Sequence, residues 1–253
     1  MPQPGIGLQL YTLRDDLAAD MEGTLRKVAS LGYKGVEFAG YYGKEAGELR
    51  QLLDELGLAA IGSHVSLELL QSDLKGQIDY VKSIGGSYII CPYLQENARN
   101  EQAWRSNFKS FQQIGEEVRK QGLVFGYHNH AFEFEVEVDG RFAFDAIYEE
   151  STPEAVQVEL DVCWVQYAGQ DPLAYIRKYA GRLPLLHLKD FSKDAEGNLV
   201  TLELGLGDVA LNDVIREAAE AGVKWLIVEQ DYCQKPPLES IANSYDWLKR
   251  NYL

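Results

Sequence analysis

All four histidines of the chain, His64, His128, His130 and His187, lie where short apolar runs give out, and so do Glu37, Asp161 and Glu229. Side chains along a β-strand alternate between two faces, and this sorts them. Between Val156 and Val162, the residues Val156, Val158, Leu160 and Val162 take one face and leave Gln157, Glu159 and Asp161 on the other. His187 and Lys189 oppose Leu186 and Leu188, and Glu37 opposes Val36 and Phe38. Glu229 and Asp231 share a face with Trp225 and Ile227, and Gly126, His128 and His130 fall together. The apolar alternates select the face packed on helices, so the polar set converges on one end of a sheet. Carboxylates gathered inside apolar walls repel one another and lose hydration. A divalent cation relieves both costs. Imidazole and carboxylate donors arriving from separate strands suit Mn²⁺, Mg²⁺, Co²⁺ or Zn²⁺. For any single residue the plainer alternative is a hydrogen bond to a neighbour; a polar residue at nearly every strand end favours a shared site.

A repeating unit supplies the scaffold. An amphipathic helix ends at a glycine and a short apolar run follows at once. Leu31-Gly32 precedes Gly35–Phe38, Leu56-Gly57 precedes Ala59–His64, and Ile84-Gly85 precedes Tyr88–Cys91. Gln121-Gly122 precedes Leu123–Gly126, Ala180-Gly181 precedes Leu185–Leu188, and Ala221-Gly222 precedes Trp225–Glu229. A glycine just past a helix end takes the left-handed conformation that stops it, and the run that follows reads as a buried strand. Gly7–Tyr11 and Val156–Val162 bring the strands to eight, with helices expected from near Met21, Lys44, Leu67, Glu101, Phe142, Pro172, Leu211 and Leu238. Eight units in 253 residues take about 32 residues each, the size of a strand–helix unit. Unbroken alternation predicts a parallel sheet, and eight units predict an α/β fold of the closed (β/α)8 TIM-barrel type, whose sites form at the C-terminal strand ends. Two insertions, near 132–144 around Asp139-Gly140 and near 193–204 around Glu196-Gly197-Asn198, carry hairpin signals and follow strands, so both are expected on that same end. No linker or low-complexity stretch breaks residues 1–253, which predicts one domain.

Composition narrows the partners. With 24 Lys+Arg against 39 Asp+Glu the net charge is −15, and the basic residues do not cluster, which excludes a nucleic-acid partner on electrostatic grounds. Hydrophobic residues at 46% and charged residues at 25% are ordinary globular usage and argue against disorder. Cys91, Cys163 and Cys233 have no close spacing, so they outline neither a disulfide framework nor a thiolate metal site. No apolar stretch is long enough to span a membrane, and Met1–Gly5 lacks the basic-then-apolar pattern of a secretory signal; the expectation is a cytoplasmic protein without membrane contact.

Taken in order, Gly7-Leu8-Gln9-Leu10-Tyr11-Thr12, Gly35-Val36-Glu37, Gly62-Ser63-His64, Tyr127-His128-Asn129-His130, Glu159-Leu160-Asp161-Val162, His187-Leu188-Lys189-Asp190 and Ile227-Val228-Glu229 resemble the xylose isomerase-like superfamily of TIM barrels. That group holds sugar isomerases and epimerases, inosose dehydratase and endonuclease IV, and the resemblance runs along essentially the whole chain. It implies one divalent metal held by Glu, Asp, His and Glu on strands five to eight. Asp161, His187 and Glu229 match the last three; where the family often reads Glu-Asn-His this chain has His128-Asn129-His130, so His128 takes the first place. Three residues after the aspartate, where relatives often carry His, stands Trp164, whose flat apolar face suits a sugar ring.

The resemblance implies an enzyme that moves a proton beside the carbonyl of a sugar or keto-sugar through an enediolate, as an isomerase or epimerase. The alternative is a metal-dependent lyase or hydratase acting on a keto-sugar or keto-inositol. In either case Glu229 serves as one acid–base group and His128 or His130 as the other. Lys189 binds a substrate oxygen or neutralises an enolate, or instead forms an ion pair with Glu159 or Glu229. Glu37 and His64 are expected to contact substrate hydroxyls, with a hydrogen bond to each other as the alternative. Glu159 orients a ligand from behind, Tyr11 and Tyr41 close the pocket, and Trp104 serves as packing. Gly205-Leu206-Gly207-Asp208 reads as a tight turn more than a phosphate site, because Asp208 would repel the anion. The expected partner is therefore a neutral small-molecule carbohydrate, and the resemblance allows a homo-oligomer. A DNA-repair endonuclease is disfavoured by the four histidines and the negative charge; a non-catalytic sugar-binding barrel is the remaining alternative.

Overall fold

The computed structural model describes residues 3–253. Eight strands form the barrel: β1 (Gly5–Gln9), β2 (Gly35–Phe38), β3 (Ala59–His64), β4 (Tyr88–Cys91), β5 (Val124–His128), β6 (Gln157–Asp161), β7 (Leu185–Leu188) and β8 (Trp225–Val228). Each pairs in parallel with its sequence neighbours, and β8 closes on β1 through Gly5–Trp225 and Leu8–Val228. The layer outside consists of α1 (Met21–Leu31), α2 (Ala46–Leu56), α3 (Leu67–Ser83), α4 (Glu101–Lys120), α5 (Ala143–Glu149), α6 (Pro172–Lys178), α7 (Leu211–Ala221) and α8 (Pro237–Asn251). This is the (β/α)8 architecture expected from the alternation. Among the described residues no helix is long and apolar enough to cross a membrane.

Two layers of apolar packing result from strand parity. Leu8, Val36, Leu160, Leu188 and Val228 point outward into the large core shared with the helices. Ile61, Ile90, Leu185 and Ile227 point inward and form a separate plug on the barrel axis. The plug fits because β1 and β2 carry glycine opposite it: a Cβ at Gly7 would lie 2.4 Å from Ile61 Cδ1, and one at Gly35 would lie 2.8 Å from Ile61 Cγ1. Above this floor, the inward positions carry Gln9, Glu37, His64, His128, Glu159, Asp161 and His187. The polar layer therefore rests on a dry base and faces one opening.

Both hairpins are present. Glu137–Val138 pairs with Arg141–Phe142 across Asp139 (φ 53°) and Gly140 (φ 73°), the left-handed pair that a tight hairpin turn requires. The second joins Asp190–Lys193 to Leu199–Leu202, so it begins three residues before the expected Lys193.

The first and sixth strands end before the apolar runs do. β1 stops at Gln9, because its side chain accepts from Tyr11 N at 2.9 Å and turns Leu10–Leu13 into a 3-10 segment. Tyr11 thereby leaves the sheet for the rim. β6 stops at Asp161, whose Oδ1 accepts from Cys163 N (2.9 Å) and Trp164 N (3.2 Å) and starts an additional short helix, Val162–Tyr167. In both cases a polar side chain caps the backbone and ends an apolar run early.

Candidate metal centre and active-site cavity

The polar layer divides into two tiers that share His187. In the lower tier Glu37, His64, Glu159 and His187 offer ligand atoms that all lie within 4.8 Å of one another. Glu37 Oε2 accepts from Gln9 Nε2 (2.9 Å), lies 2.8 Å from His187 Nε2 and 3.1 Å from His64 Nε2. His64 Nε2 lies 2.7 Å from Glu159 Oε2. These are hydrogen-bond separations, and protons satisfy them. Burial opposes charge on His64, but Glu37 and Glu159 outweigh it and push its pKa up to about 10. The same balance, with Glu159 and Glu229 as the anions, raises His187 well above the usual histidine range. Burial likewise disfavours a charged Glu159, yet His187 and His64 hold its pKa well down.

In the upper tier His128, Asp161, His187 and Glu229 are all buried, and one donor atom from each lies within 4.8 Å of the others. His187 Nδ1 is 2.9 Å from Glu229 Oε2, and His128 Nε2 is 3.5 Å from Asp161 Oδ2. Three features make this quartet suit a divalent cation. His128 Nε2 is buried without a hydrogen-bond partner, and buried Asp161 Oδ2 is balanced by the Lys189 ammonium at 2.9 Å. Asp161 Oδ1 is engaged in the helix cap, so Oδ2 is aimed inward by the backbone itself. His187 donates from Nε2 to Glu37 and from Nδ1 to Glu229; a cation displacing the Nδ1 proton would leave Nε2–H on Glu37, the carboxylate–histidine arrangement common behind metal ligands. Asn129 ties the two halves together: its Oδ1 accepts from Asp161 N (2.9 Å) and its Nδ2 donates to Asp161 O (3.3 Å), bridging the ends of β5 and β6.

Lys189 is fully enclosed beside the quartet. Its Nζ lies 2.9 Å from Asp161 Oδ2, 2.8 Å from Glu229 Oε2 and 2.9 Å from Asp231 Oδ2. Of the two ion pairs expected of it, the one with Glu229 forms. Its other partners are Asp161 and Asp231 in place of Glu159. Burial opposes the charge on Asp161, but Lys189 and His128 hold its pKa down to about 2.

Above the quartet opens a cavity of about 940 Å³, lined at its base by His64, His128, His130, Glu229 and Asp231 and on its walls by Tyr11, Tyr41, Trp164, Tyr167 and Tyr232. Its lining contains no Lys or Arg. Glu37, expected to touch substrate, does not reach this cavity: it is entirely enclosed, and its Oε2 is taken by Gln9, His187 and His64. Its geometry makes it a support for His187. His64 reaches both places, bonding Glu37 and Glu159 below and bordering the cavity above. Trp164 and Tyr11 do line the cavity, Tyr41 lines it while stacking on Tyr80 at 3.8 Å, and Trp104 is buried against Phe108, Tyr127 and Phe132. Burial, with the neighbouring His128 and Lys189, drives the pKa of His130 well down, so its ring is neutral at neutral pH.

Three supporting residues escaped the sequence analysis. Gln9 shares the inward parity of Gly7 and was discoverable by that rule. Asp190 fills a nest of backbone N–H groups: Gly205 N and Gly207 N donate to Oδ2 (2.9 Å each), and Phe191 N (3.0 Å) and Val209 N (3.1 Å) donate to Oδ1. A Cβ at Gly207 would lie 2.3 Å from Asp190 Oδ1, so the glycine is there to close around a carboxylate the chain itself provides. The turn expected at 205–208 is thus built on an internal anion, with its N–H groups already engaged.

Glu133 is the third. Its Oε1 accepts from Tyr127 Oη (2.7 Å) and its Oε2 from His130 N (2.8 Å), all in a dry setting. Burial raises its pKa from 4.5 to about 8, against the lowering effect of those donors. Between these values the folded chain holds a proton that the unfolded chain has released, so stability falls as pH rises through that window. Glu133→Gln keeps an acceptor for His130 N and turns an amide N–H toward the Tyr127 oxygen, reversing that hydrogen bond. It is expected to flatten the slope and to exceed the parent in stability on the alkaline side, by on the order of a few kcal/mol. Urea midpoints of both chains in mildly acidic and in alkaline buffer measure this; parallel pH profiles would refute it.

Comparisons with known proteins agree with this fold. A family model described as xylose isomerase-like TIM barrel matches residues 25–251. An inosose dehydratase from Clostridium tetani is 23% identical over 256 residues, spanning 86% of this chain and 85% of that protein. Among solved structures, a sugar phosphate isomerase/epimerase from Parabacteroides distasonis superposes with a TM-score of 0.83 at 24% identity, covering 98% of both chains. An L-ribulose 3-epimerase does so with a TM-score of 0.74 at 14% identity, covering 98% of this chain and 94% of that one. At these identities the structural likenesses establish the fold.

Proposed function

The chain belongs to the xylose isomerase-like TIM-barrel family, and from that premise we propose that it is a divalent-metal-dependent isomerase or epimerase acting on a neutral sugar or keto-sugar by proton transfer beside a carbonyl. The observation that carries this reading is the convergence of His128, Asp161, His187 and Glu229, two of which, His128 and Glu229, line the cavity, with His128 Nε2 buried and unpartnered. Bound by these four, the ion supplies Lewis acidity toward the negative charge that develops on a substrate oxygen. The protein supplies the rest. His130 lines the cavity as a neutral imidazole and is the group that takes the carbon-bound proton and returns it. Trp164 and Tyr11 offer flat faces to the C–H surface of a ring. A wall without Lys or Arg, and a glycine turn already holding Asp190, favour an uncharged substrate over a sugar phosphate.

A second reading, a dehydratase on a keto-inositol or keto-sugar, is favoured by the likeness to the inosose dehydratase of Clostridium tetani. It uses the same proton abstraction and then expels a β-hydroxyl. Incubation of the Mn²⁺-supplemented protein with neutral ketoses and a keto-inositol in D₂O, followed by mass spectrometry, separates the two. Deuterium uptake with retention of all oxygens supports the isomerase; loss of one water supports the dehydratase. Neither outcome across the panel, from protein shown to contain metal, would refute proton-transfer chemistry on these substrates.

A further inference from the structure

Lys189 already occupies the oxygens that an entering cation needs. Its ammonium contacts Asp161 Oδ2 at 2.9 Å and Glu229 Oε2 at 2.8 Å, and both residues belong to the upper quartet. Asp161 has no spare oxygen to offer instead, because Oδ1 is committed to the backbone N–H groups of Cys163 and Trp164. The third partner, Asp231 Oδ2 at 2.9 Å, stands outside the quartet and borders the cavity. Two cations do not share a pair of oxygens at contact distance in a buried site without strong repulsion.

We propose that Lys189 is a built-in counter-cation that fills the carboxylate set when no metal is bound and withdraws onto Asp231 when one enters. Lys189 and Asp231 together then set the metal affinity. This rests on the reading of the quartet as a metal site. The long, unbranched lysine stem allows such a shift by rotamer change, with no movement of β7. In the withdrawn position the ammonium is held by Asp231, which borders the cavity, so both residues act through the ion and are positioning residues in this role. The free chain avoids leaving Asp161 and Glu229 as uncompensated buried charges, which would be costly.

The two residues have opposite effects on affinity under this scheme, and that is the test. Calorimetric titration of Mn²⁺ into chelator-stripped protein is compared for the parent, Lys189→Met and Asp231→Asn. Removing the competitor releases the fraction of sites it blocks, so Lys189→Met is expected to tighten Mn²⁺ binding by about tenfold or more. Removing the parking place leaves the ammonium with nowhere to go, so Asp231→Asn is expected to weaken binding by about tenfold. If both residues merely supported the fold, both variants would bind more weakly. Melting curves give a separate readout: Lys189→Met should melt below the parent in chelator and recover more than the parent on adding Mn²⁺. If Lys189→Met does not fold, Asp231→Asn decides alone, since unchanged affinity there overturns the scheme. Parent protein that binds Mn²⁺ without the opposed effects overturns the role of Lys189 only. Parent protein that binds no Mn²⁺ overturns the metal site and this proposal together.

Discussion

Asp161→Ala is expected to leave the purified protein without its metal and to lower turnover by at least about a thousandfold, the scale seen when a main electrostatic stabiliser of a transition state is lost. The size follows from the division of labour within one carboxylate. Oδ1 accepts from Cys163 N and Trp164 N and holds the side chain in place, and Oδ2 projects into the quartet, where the Lys189 ammonium meets it at 2.9 Å. Alanine removes both jobs. The lost cap costs about 0.5–2 kcal/mol of stability and loosens the short helix that carries Trp164. Asp161→Asn separates the two: its side-chain oxygen continues to cap, so the environment of Trp164 should stay near the parent, while the charge facing the ion and Lys189 is gone. Elemental analysis and turnover on both variants, with tryptophan fluorescence as the check on the helix, measure this. Full metal content in Asp161→Asn and Asp161→Ala would remove Asp161 from the site.

This double duty also explains what was legible in the sequence. The alternation of strand side chains placed Asp161, His187, Glu229 and His128 on one face of four separate strands, and in the structure they meet. Parity works here because a barrel strand has a dry outer face packed on helices, and Leu160, Leu188 and Val228 leave no other choice. It says nothing of depth along the strand. Glu37 has the same inward parity as His128, yet it lies in the lower tier, where Gln9 and two histidines enclose it. The ends of β1 and β6 were misplaced for a related reason. An apolar run through Leu10 or Val162 reads as strand, but a side chain that caps the next N–H groups diverts the backbone, and that competition is decided locally by Gln9 and Asp161. Asp190 was out of reach altogether: its partners at 205, 207 and 209 come from beyond a hairpin, and only the folded chain brings them to it.

His130→Phe tests the chemistry without touching the ion. The His130 ring sits among aromatics, stacked on Phe132 with centroids 5.8 Å apart and edge-on to Tyr93 at 5.2 Å, with Trp164 at 5.2 Å. Its backbone N–H, which donates to Glu133, is unaffected by the substitution. Phenylalanine therefore fits the same space. Since the parent ring is already neutral, stability is expected to change by less than about 1.5 kcal/mol, the tolerance of volume-conserving core swaps. Metal content is expected to match the parent, because His130 is not among the four donors. Turnover and solvent-proton exchange into substrate are expected to fall by about a hundred- to ten-thousandfold, the usual contribution of a general base. The sign of the pH dependence supplies an independent check. The proton-accepting form of His130 is the neutral one, and burial beside His128 and Lys189 depresses its pKa well below 6.5. Activity limited by this group should persist on the acid side of 6.5 and decline only at lower pH, whereas an ordinary solvent-exposed histidine would already cost activity near that value. A variant that keeps its metal, its fold and its exchange rate would transfer the role of base to Glu229. Loss of exchange with metal retained would separate proton transfer from ion binding within one cavity, which Asp161→Ala alone does not do.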